Sequence, residues 1–241
     1  MLLAVGKDLE ISKFFDILSV MASDRNKIHE RNKGKLGSFK HSDGWGIAYL
    51  EENRFQLFHS IKPVYEDFFP NEIRERKTDF VIIHARKQGK GKVCLENTHP
   101  FFLNSEDKEW VFCHNGTIID DILNEGKFQP KGNTDSERLF CSWLNRLKKG
   151  ESIEKIIKSI SYFKALKGSN IFLSTKEYSY VFSLNSEMPK YFTLNVGRGR
   201  DILLVSSEKI PSFGELTWEE LRLGSLIKID HKTLNLEVIP L

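Results

Sequence analysis

Residues 135–166 carry two helical stretches back to back, and almost everything on either side of them reads as short strands. From Asp135 onward, Leu139, Phe140, Trp143, Leu144 and Leu147 form an apolar stripe at helical spacing, with Thr134 placed as a cap before an acidic first turn. A second helix fits 152–166, with Ile153, Ile156, Ile157 and Ile160 inward. Upstream lie strand-like runs at Leu2–Val5, 45–50, 54–60 and 79–86, then WVFC at 110–113. Glu51-Glu52-Asn53 suits a hairpin between the second and third of these. Downstream come NIFLS, YSYVFSL, YFTLNV, DILLVS, SLIKID and LEVIP. Only residues 10–22 interrupt the early strands, placing Ile11, Phe14, Phe15, Leu18 and Met21 on one helical face. Helices grouped between sets of strands predict layered α and β, not a regular βαβ alternation.

No repeat, low-complexity stretch or linker divides the 241 residues, so a single domain over 1–241 is expected. Thirty-six basic residues against 33 acidic ones are too balanced to argue for nucleic acid or an anionic membrane. Local clusters at 25–35 and 86–92 read either as solvated loops or as phosphate-binding patches. Cys94, Cys113 and Cys141 lack metal-type spacing and leave at least one thiol unpaired. The opening residues lack a signal-peptide core and no stretch approaches a membrane span, which makes a reducing cytoplasm the expected location.

Four polar interruptions stand at the ends of apolar runs: residues 41–46, 84–86, 114–116 and 132–137. Loops at the ends of rigid elements are where scaffolds place their chemistry. WVFC breaks into His114-Asn115-Gly116, which reads either as a turn or as an oxyanion hole. In the second reading the Asn115 amide and the Gly116 N–H donate to a developing negative oxygen, and the glycine lets backbone approach a ligand. The strand is then expected to stop at Asn115. Arg86 is either a surface ion-pair partner or a fork for a carboxylate. Asp135 either favours a helix N-terminus or binds an ammonium. Together they describe a pocket for an α-amino acid with a reactive side-chain carbonyl, and glutamine fits.

HSDGWGIAYLEE (41–52), IHARKQGKGKVCLENTHPF (83–101), WVFCHNGTI (110–118) and GNTDSERLF (132–140), in this order, resemble the class II glutamine amidotransferases of the N-terminal-nucleophile hydrolase superfamily. The likeness is to the short stand-alone subgroup, whose C-terminal strands LLVSSEKI (203–210) and LRLGSLIKID (221–230) also resemble. The resemblance implies an α+β fold, a four-layer αββα sandwich of two mainly antiparallel sheets between helical layers. It assigns Arg86 to the substrate carboxylate, Asp135 to the amino group, and Asn115 with Gly116 to the oxyanion hole. Residues 43–46 and 97–100 line or brace the pocket, and His84, His99 and His114 are read as braces. No cofactor or metal is called for. The implied small-molecule substrate is glutamine or a γ-glutamyl compound, with a protein partner accepting ammonia as a further option and neither nucleic acid nor membrane as a partner.

Two departures bear on mechanism. Related synthase-feeding enzymes follow the arginine with Trp-Ala-Thr-His-Gly, where this chain has Lys87-Gln88-Gly89-Lys90-Gly91, so substrate selectivity is expected to differ. The family nucleophile is an N-terminal cysteine with its own α-amine as base, and the sequence opens Met1-Leu2-Leu3-Ala4-Val5-Gly6. Cys94, Cys113 and Cys141 have no α-amine to use. The expectation is a natural start reading Met-Cys-Arg-Met-Leu-Leu, and inactivity of the chain as written. The leading reading is a γ-glutamyl amide hydrolase working through a thioester. The alternatives are a γ-glutamyl-peptide hydrolase, a non-catalytic glutamine-binding or regulatory module and, from the 25–35 cluster alone, a nucleic-acid binder.

Overall fold

In the computed structural model, which describes residues 1–105, 108–184, 186–211, 213–214 and 216–240, two antiparallel sheets stack face to face. The first orders β11 (Thr217–Glu220), β9 (Asn195–Arg198), β10 (Ile202–Ser206), β1 (Leu2–Glu10), β4 (Lys77–Ala85), β2 (Trp45–Glu51) and β3 (Arg54–Ser60). The second orders β13 (Leu236–Ile239), β12 (Ser225–Asp230), β8 (Tyr178–Ser183), β7 (Leu166–Ser174), β6 (Lys108–Ile118) and β5 (Phe101–Ser105). Helix α1 (Ile11–Ala22) covers the first sheet. Helices α3 (Asp135–Lys148) and α4 (Ile153–Lys158) cover the second. Single turns α2 (Asn71–Arg74) and α5 (Pro189–Phe192) complete the helices. None of the described helices is long and apolar enough to cross a membrane.

Three apolar layers fill the spaces between these four. Strand alternation deals residues out to them, since successive side chains point to opposite faces. In β1, Leu2 and Ala4 join α1 while Leu3 and Val5 face the second sheet. In β4, Val81, Ile83 and Ala85 take the α1 side and Phe80 and Ile82 the inter-sheet side. In β6, Phe112 turns to α3, where it stacks on Phe140 at 5.0 Å, and Val111 and Cys113 turn inward. Both faces of the central strands are therefore buried, which explains apolar runs without polar alternation. Truncating a side chain such as Phe112 should cost about 3–5 kcal/mol.

The local elements follow from sequence. The hairpin between β2 and β3 turns on Glu52 and Asn53, both with positive φ, as a two-residue turn matched to strand twist requires. Thr134 Oγ1 accepts the Glu137 N–H at 3.2 Å and caps α3. The Glu137 carboxylate accepts from Lys131 N and Gly132 N at 2.9 and 2.7 Å, tying down the loop before it.

Three expectations need correction. The second helix is short: α4 ends at Lys158 and a 3-10 turn carries Ser159–Tyr162. YFTLNV is not all strand, because Pro189 opens a helical turn that takes in Tyr191 and Phe192. The strand WVFC does not stop at Asn115: β6 continues to Ile118, with Asn115 opposite Asn170 and Gly116 opposite Ser169. The Asn-Gly turn preference loses to pairing with β7, and the register shifts only between Gly116 and Ile118.

Candidate active site

Continuing the alternation of β4 past Phe80 and Ile82 brings His84 and then Arg86 onto the inter-sheet side. The same count along β6 from Val111 and Cys113 brings Asn115. The apolar layer between the sheets thus ends in polar side chains, and a cleft opens there. His41, His84, Arg86, His99, His114, Asn115, Gly116 and Asp135 all line it. The four predicted site residues are brought together, although they lie up to 49 positions apart in sequence.

Arg86 is 4% exposed. Its Nη2 donates to the carbonyls of Lys90 and Gly91 at 3.1 and 3.3 Å, while Nη1 is buried without a partner. Burial lowers its pKa, against the opposing pull of Asp43 and Asp135, and a guanidinium stays charged regardless. Asp43 N–H donates to the Arg86 carbonyl at 3.0 Å, and Arg86 N–H to Gly44 at 2.7 Å, so residues 43–44 brace the arginine. Trp45 from the same motif points away into the α1 layer, its Nε1 donating to Asp67 at 2.9 Å.

Asp135 is the first residue of α3, and its Oδ2 accepts Ile118 N–H at 2.6 Å, locking the helix to the end of β6. Asn115 Oδ1 lies 3.5 Å from the Tyr191 hydroxyl, which also reaches His41 Nε2 at 3.4 Å. With its oxygen engaged, the amide presents its nitrogen to the cleft. Gly116 has no room for a side chain, because a Cβ would collide with the Gly168 carbonyl and the His114 ring. The expected reason for this glycine, approach to a ligand, is joined by a structural one, close passage of β7.

Four histidines form the floor. His41 Nδ1 donates to the Ala85 carbonyl at 3.1 Å, and His114 Nδ1 pairs with Ser136 Oγ at 2.9 Å. The His84 and His99 rings meet at a 50° tilt with 4.6 Å between their centres. His84 Nδ1, His114 Nε2 and both His99 nitrogens are buried without partners. Burial pulls His41 and His114 down to about 4 and His84 and His99 well below 6.5, so all four are neutral at neutral pH. Asn97 links the loop before β5 to the loop before α3, donating to Asn133 Oδ1 at 2.7 Å and accepting from Asn133 N–H at 2.9 Å.

A second cavity adjoins the first across Asn115, Tyr191, His41 and His84, and is lined by Met1, Lys27, Ser207 and Glu208. The Met1 α-amine donates to Ser207 Oγ at 3.3 Å, and burial, partly offset by Glu208, lowers its pKa to about 6. Sequence reasoning missed Tyr191, hidden in an aromatic strand-like run, and Lys167, while Arg31 of the basic cluster 25–35 joins Lys87 and Lys90 of the cluster 86–92 around the cleft. Pro189, which favours a helix start, is the signal that could have corrected the strand reading there. Among the described residues no group of three or more His, Cys, Asp or Glu side chains is placed to hold a metal ion.

Residues 29–170 match the family model of class II glutamine amidotransferases. An Escherichia coli (strain K12) protein named "Putative glutamine amidotransferase YafJ" is 35% identical over 114 residues, 46% of this chain and 45% of that protein. The chain spans under half the length of the curated relatives it matches. The fold is similar to that of the glutamine phosphoribosylpyrophosphate amidotransferase from B. subtilis, with TM-score 0.68 and 17% identity over 99% of this chain and 48% of that one. It is also similar to that of a glutamine aminotransferase class-II domain protein from Silicibacter pomeroyi, with TM-score 0.60 and 17% identity over 99% and 97%. At these identities the likeness carries the fold alone.

Proposed function

The chain belongs to the class II glutamine amidotransferases, and from that premise we propose that it serves as a single domain cleaving a γ-glutamyl amide to glutamate and ammonia or an amine. Arg86 holds the substrate α-carboxylate and Asp135 its ammonium. The Asn115 amide and the Gly116 N–H stabilise the oxyanion on the γ-carbon. One observation carries this reading: Arg86 Nη1 is a buried donor with no partner, in the same cleft as Asp135 and Asn115. A buried charged donor left unmade is costly to the fold, and a ligand carboxylate would satisfy it.

The reaction needs a thiolate beside an α-amine. Cys113 lies between the sheets, where burial raises its pKa well above the usual thiol range. Burial pushes Cys141 up to about 12. Neither is poised to ionise at neutral pH, and Cys94, like them mid-chain, has no α-amine beside it. The proposal therefore assigns the nucleophile to a cysteine ahead of Met1, where the start of β1 meets the adjoining cavity. Its thiolate attacks the γ-carbonyl, the C–N bond breaks with the α-ammonium supplying the leaving nitrogen's proton, and water cleaves the thioester. The base is the α-amine of that cysteine, two residues ahead of Met1, and an unperturbed α-amine of pKa about 7.7–8.0 already exchanges protons near neutral pH.

A chain reading Met-Cys-Arg ahead of Met1 should hydrolyse glutamine after methionine removal, and cysteine to alanine should abolish turnover while sparing binding. An inactive extended chain with a verified N-terminal cysteine would overturn the catalytic reading. That result would favour the second one, a glutamine-binding or regulatory module. The second reading draws on the same buried Arg86 donor, which a bound ligand satisfies whether or not it is cleaved.

A further inference from the structure

The cleft is lined by the cations Arg31, Arg86, Lys87, Lys90 and Lys167 and by a single carboxylate, Asp135. An α-amino acid bound as proposed above uses Arg86 and Asp135, one charge against one. That leaves four cations with no anion facing them. Lys90 is engaged, its Nζ donating to the Ile118 and Ile119 carbonyls at 2.8 and 3.4 Å. Arg31, Lys87 and Lys167 are exposed at the cleft, and no carboxylate pairs with them among the described residues.

Two of the three are gathered in one place. The Arg31 guanidinium lies 4.7 Å from the centre of the Phe39 ring and 5.9 Å from that of Tyr191. The Lys87 ammonium lies 5.4 Å from the same Phe39 ring. The ring's face attracts each cation, yet the two repel one another within about one Debye length. An anion drawn to both would relieve that repulsion. The loop carrying Arg31 is held over the cleft by its neighbour Glu30, whose carboxylate accepts from Lys190 N–H and Tyr191 N–H, both at 3.0 Å. The cationic rim is thus fixed to α5, the element whose tyrosine meets Asn115.

We infer that a γ-glutamyl substrate with its α-carboxylate on buried Arg86 extends its amide nitrogen towards this rim and that the released amine bears its own carboxylates, so that the substrate class is γ-glutamyl peptides with an anionic C-terminal part. Arg31, Lys87 and Lys167 are the residues that select it. This rests on the assignment of Arg86 and Asp135 to the α-amino-acid end. The departure from Trp-Ala-Thr-His-Gly then has a consequence, because it places Lys87 where it can meet the leaving amine's charge.

Calorimetric titration of the 241-residue chain with L-glutamine, γ-L-glutamylethylamide, γ-L-glutamylglycine and γ-L-glutamylglutamate tests this without any need for turnover. The amine portions of the last three carry none, one and two carboxylates. Affinity should rise in that order, by about tenfold from the neutral amide to the diacid, as expected of two or three exposed charge contacts. The ratio should shrink in 0.5 M salt, on the order of a 5 Å screening length, and collapse in Arg31→Gln/Lys87→Gln. Equal binding of all four ligands, or a preference that survives the double substitution, overturns the inference while leaving the α-amino-acid reading intact. Binding of none of them overturns both.

Discussion

Across β7 and β8, Ser174 and Ser179 pair their hydroxyls at 2.7 Å, Ser179 meets His231 at 2.8 Å, and His231 Nδ1 donates to the Lys176 carbonyl at 2.8 Å. Beside them Ser183 donates to Asn170 Oδ1 at 2.8 Å, and Asn170 Nδ2 to the Phe192 carbonyl at 2.7 Å. The cleft floor at the end of the inter-sheet layer is as deeply buried but is not closed in this way. Of the eight buried side-chain atoms without a partner among the described residues, five belong to His84, Arg86, His99 and His114. Buried polar groups are ordinarily satisfied, so the contrast separates two uses of polarity. The serine and asparagine chain fastens strands together. The floor holds its donors open at a cost to folding, as sites built for a ligand do.

The largest effect expected of this contrast is acid sensitivity. The floor histidines have folded pKa values below the unfolded value of 6.5. The unfolded chain therefore takes up protons first. Their contribution is present above pH 6.5 and is lost as pH falls towards 4. The melting temperature should drop by at least about 10 °C between pH 7.5 and pH 5, against a smaller opposing gain from Glu208. A flat profile in scanning calorimetry would mean that the floor is not dry.

Next in size is Asn115→Ala in the cysteine-bearing chain. It should lower turnover by about 10²–10³ with the Michaelis constant comparatively unchanged. A raised Michaelis constant with turnover intact would make Asn115 a binding residue. Asn170→Ala should then cost about 1–3 kcal/mol in urea unfolding, because it leaves Ser183 and the Phe192 carbonyl unpaired. Arg86→Met should change stability by less than about 1 kcal/mol, since it removes the unmet Nη1 donor and frees only the carbonyls of exposed Lys90 and half-buried Gly91. If Arg86→Met proves the more destabilising of the two, the distinction between closed and open polar regions fails.

A further effect belongs to the adjoining cavity. Burial, partly offset by the Met1 amine and Lys27, raises the Glu208 pKa to about 7 from 4.5. The folded chain thus holds a proton that the unfolded chain releases, and this stabilisation is lost as pH rises from about 4.5 to 7. Glu208→Gln should remove that dependence, worth about 1–2 kcal/mol after screening. An unchanged pH slope would show that the carboxyl is solvated.

Much of the layering was legible in sequence because alternation and helical period survive folding intact, as in β4, α1 and α3. Thr134 announced its helix by standing before an acidic first turn. The strand β11, reading Thr-Trp-Glu-Glu, was not legible because four residues, two of them glutamates, are too few to show an alternation and pairing with β9 creates it. The extension of β6 through Asn115 and Gly116 was missed for the same reason, since cross-strand pairing outweighs a local turn signal. Arg86, Asp135, Asn115 and Gly116 could be picked out by chemical type, yet only the fold brings them into one cleft. The rim formed by Arg31, Lys87 and Lys167 was legible only as two separate basic clusters, 25–35 and 86–92, because 56 and 80 positions separate its members. Nor can a sequence show that a donor is buried and unpartnered.

The central claim is that the floor receives the α-amino-acid end of a γ-glutamyl ligand. Titration calorimetry of L-glutamine into the chain, alongside Arg86→Ala and Asp135→Ala, tests it most directly. Charge-assisted bonds of about 1.5–3 kcal/mol each predict that either substitution weakens binding by about one to two orders of magnitude. Unchanged affinity in both variants would contradict the account.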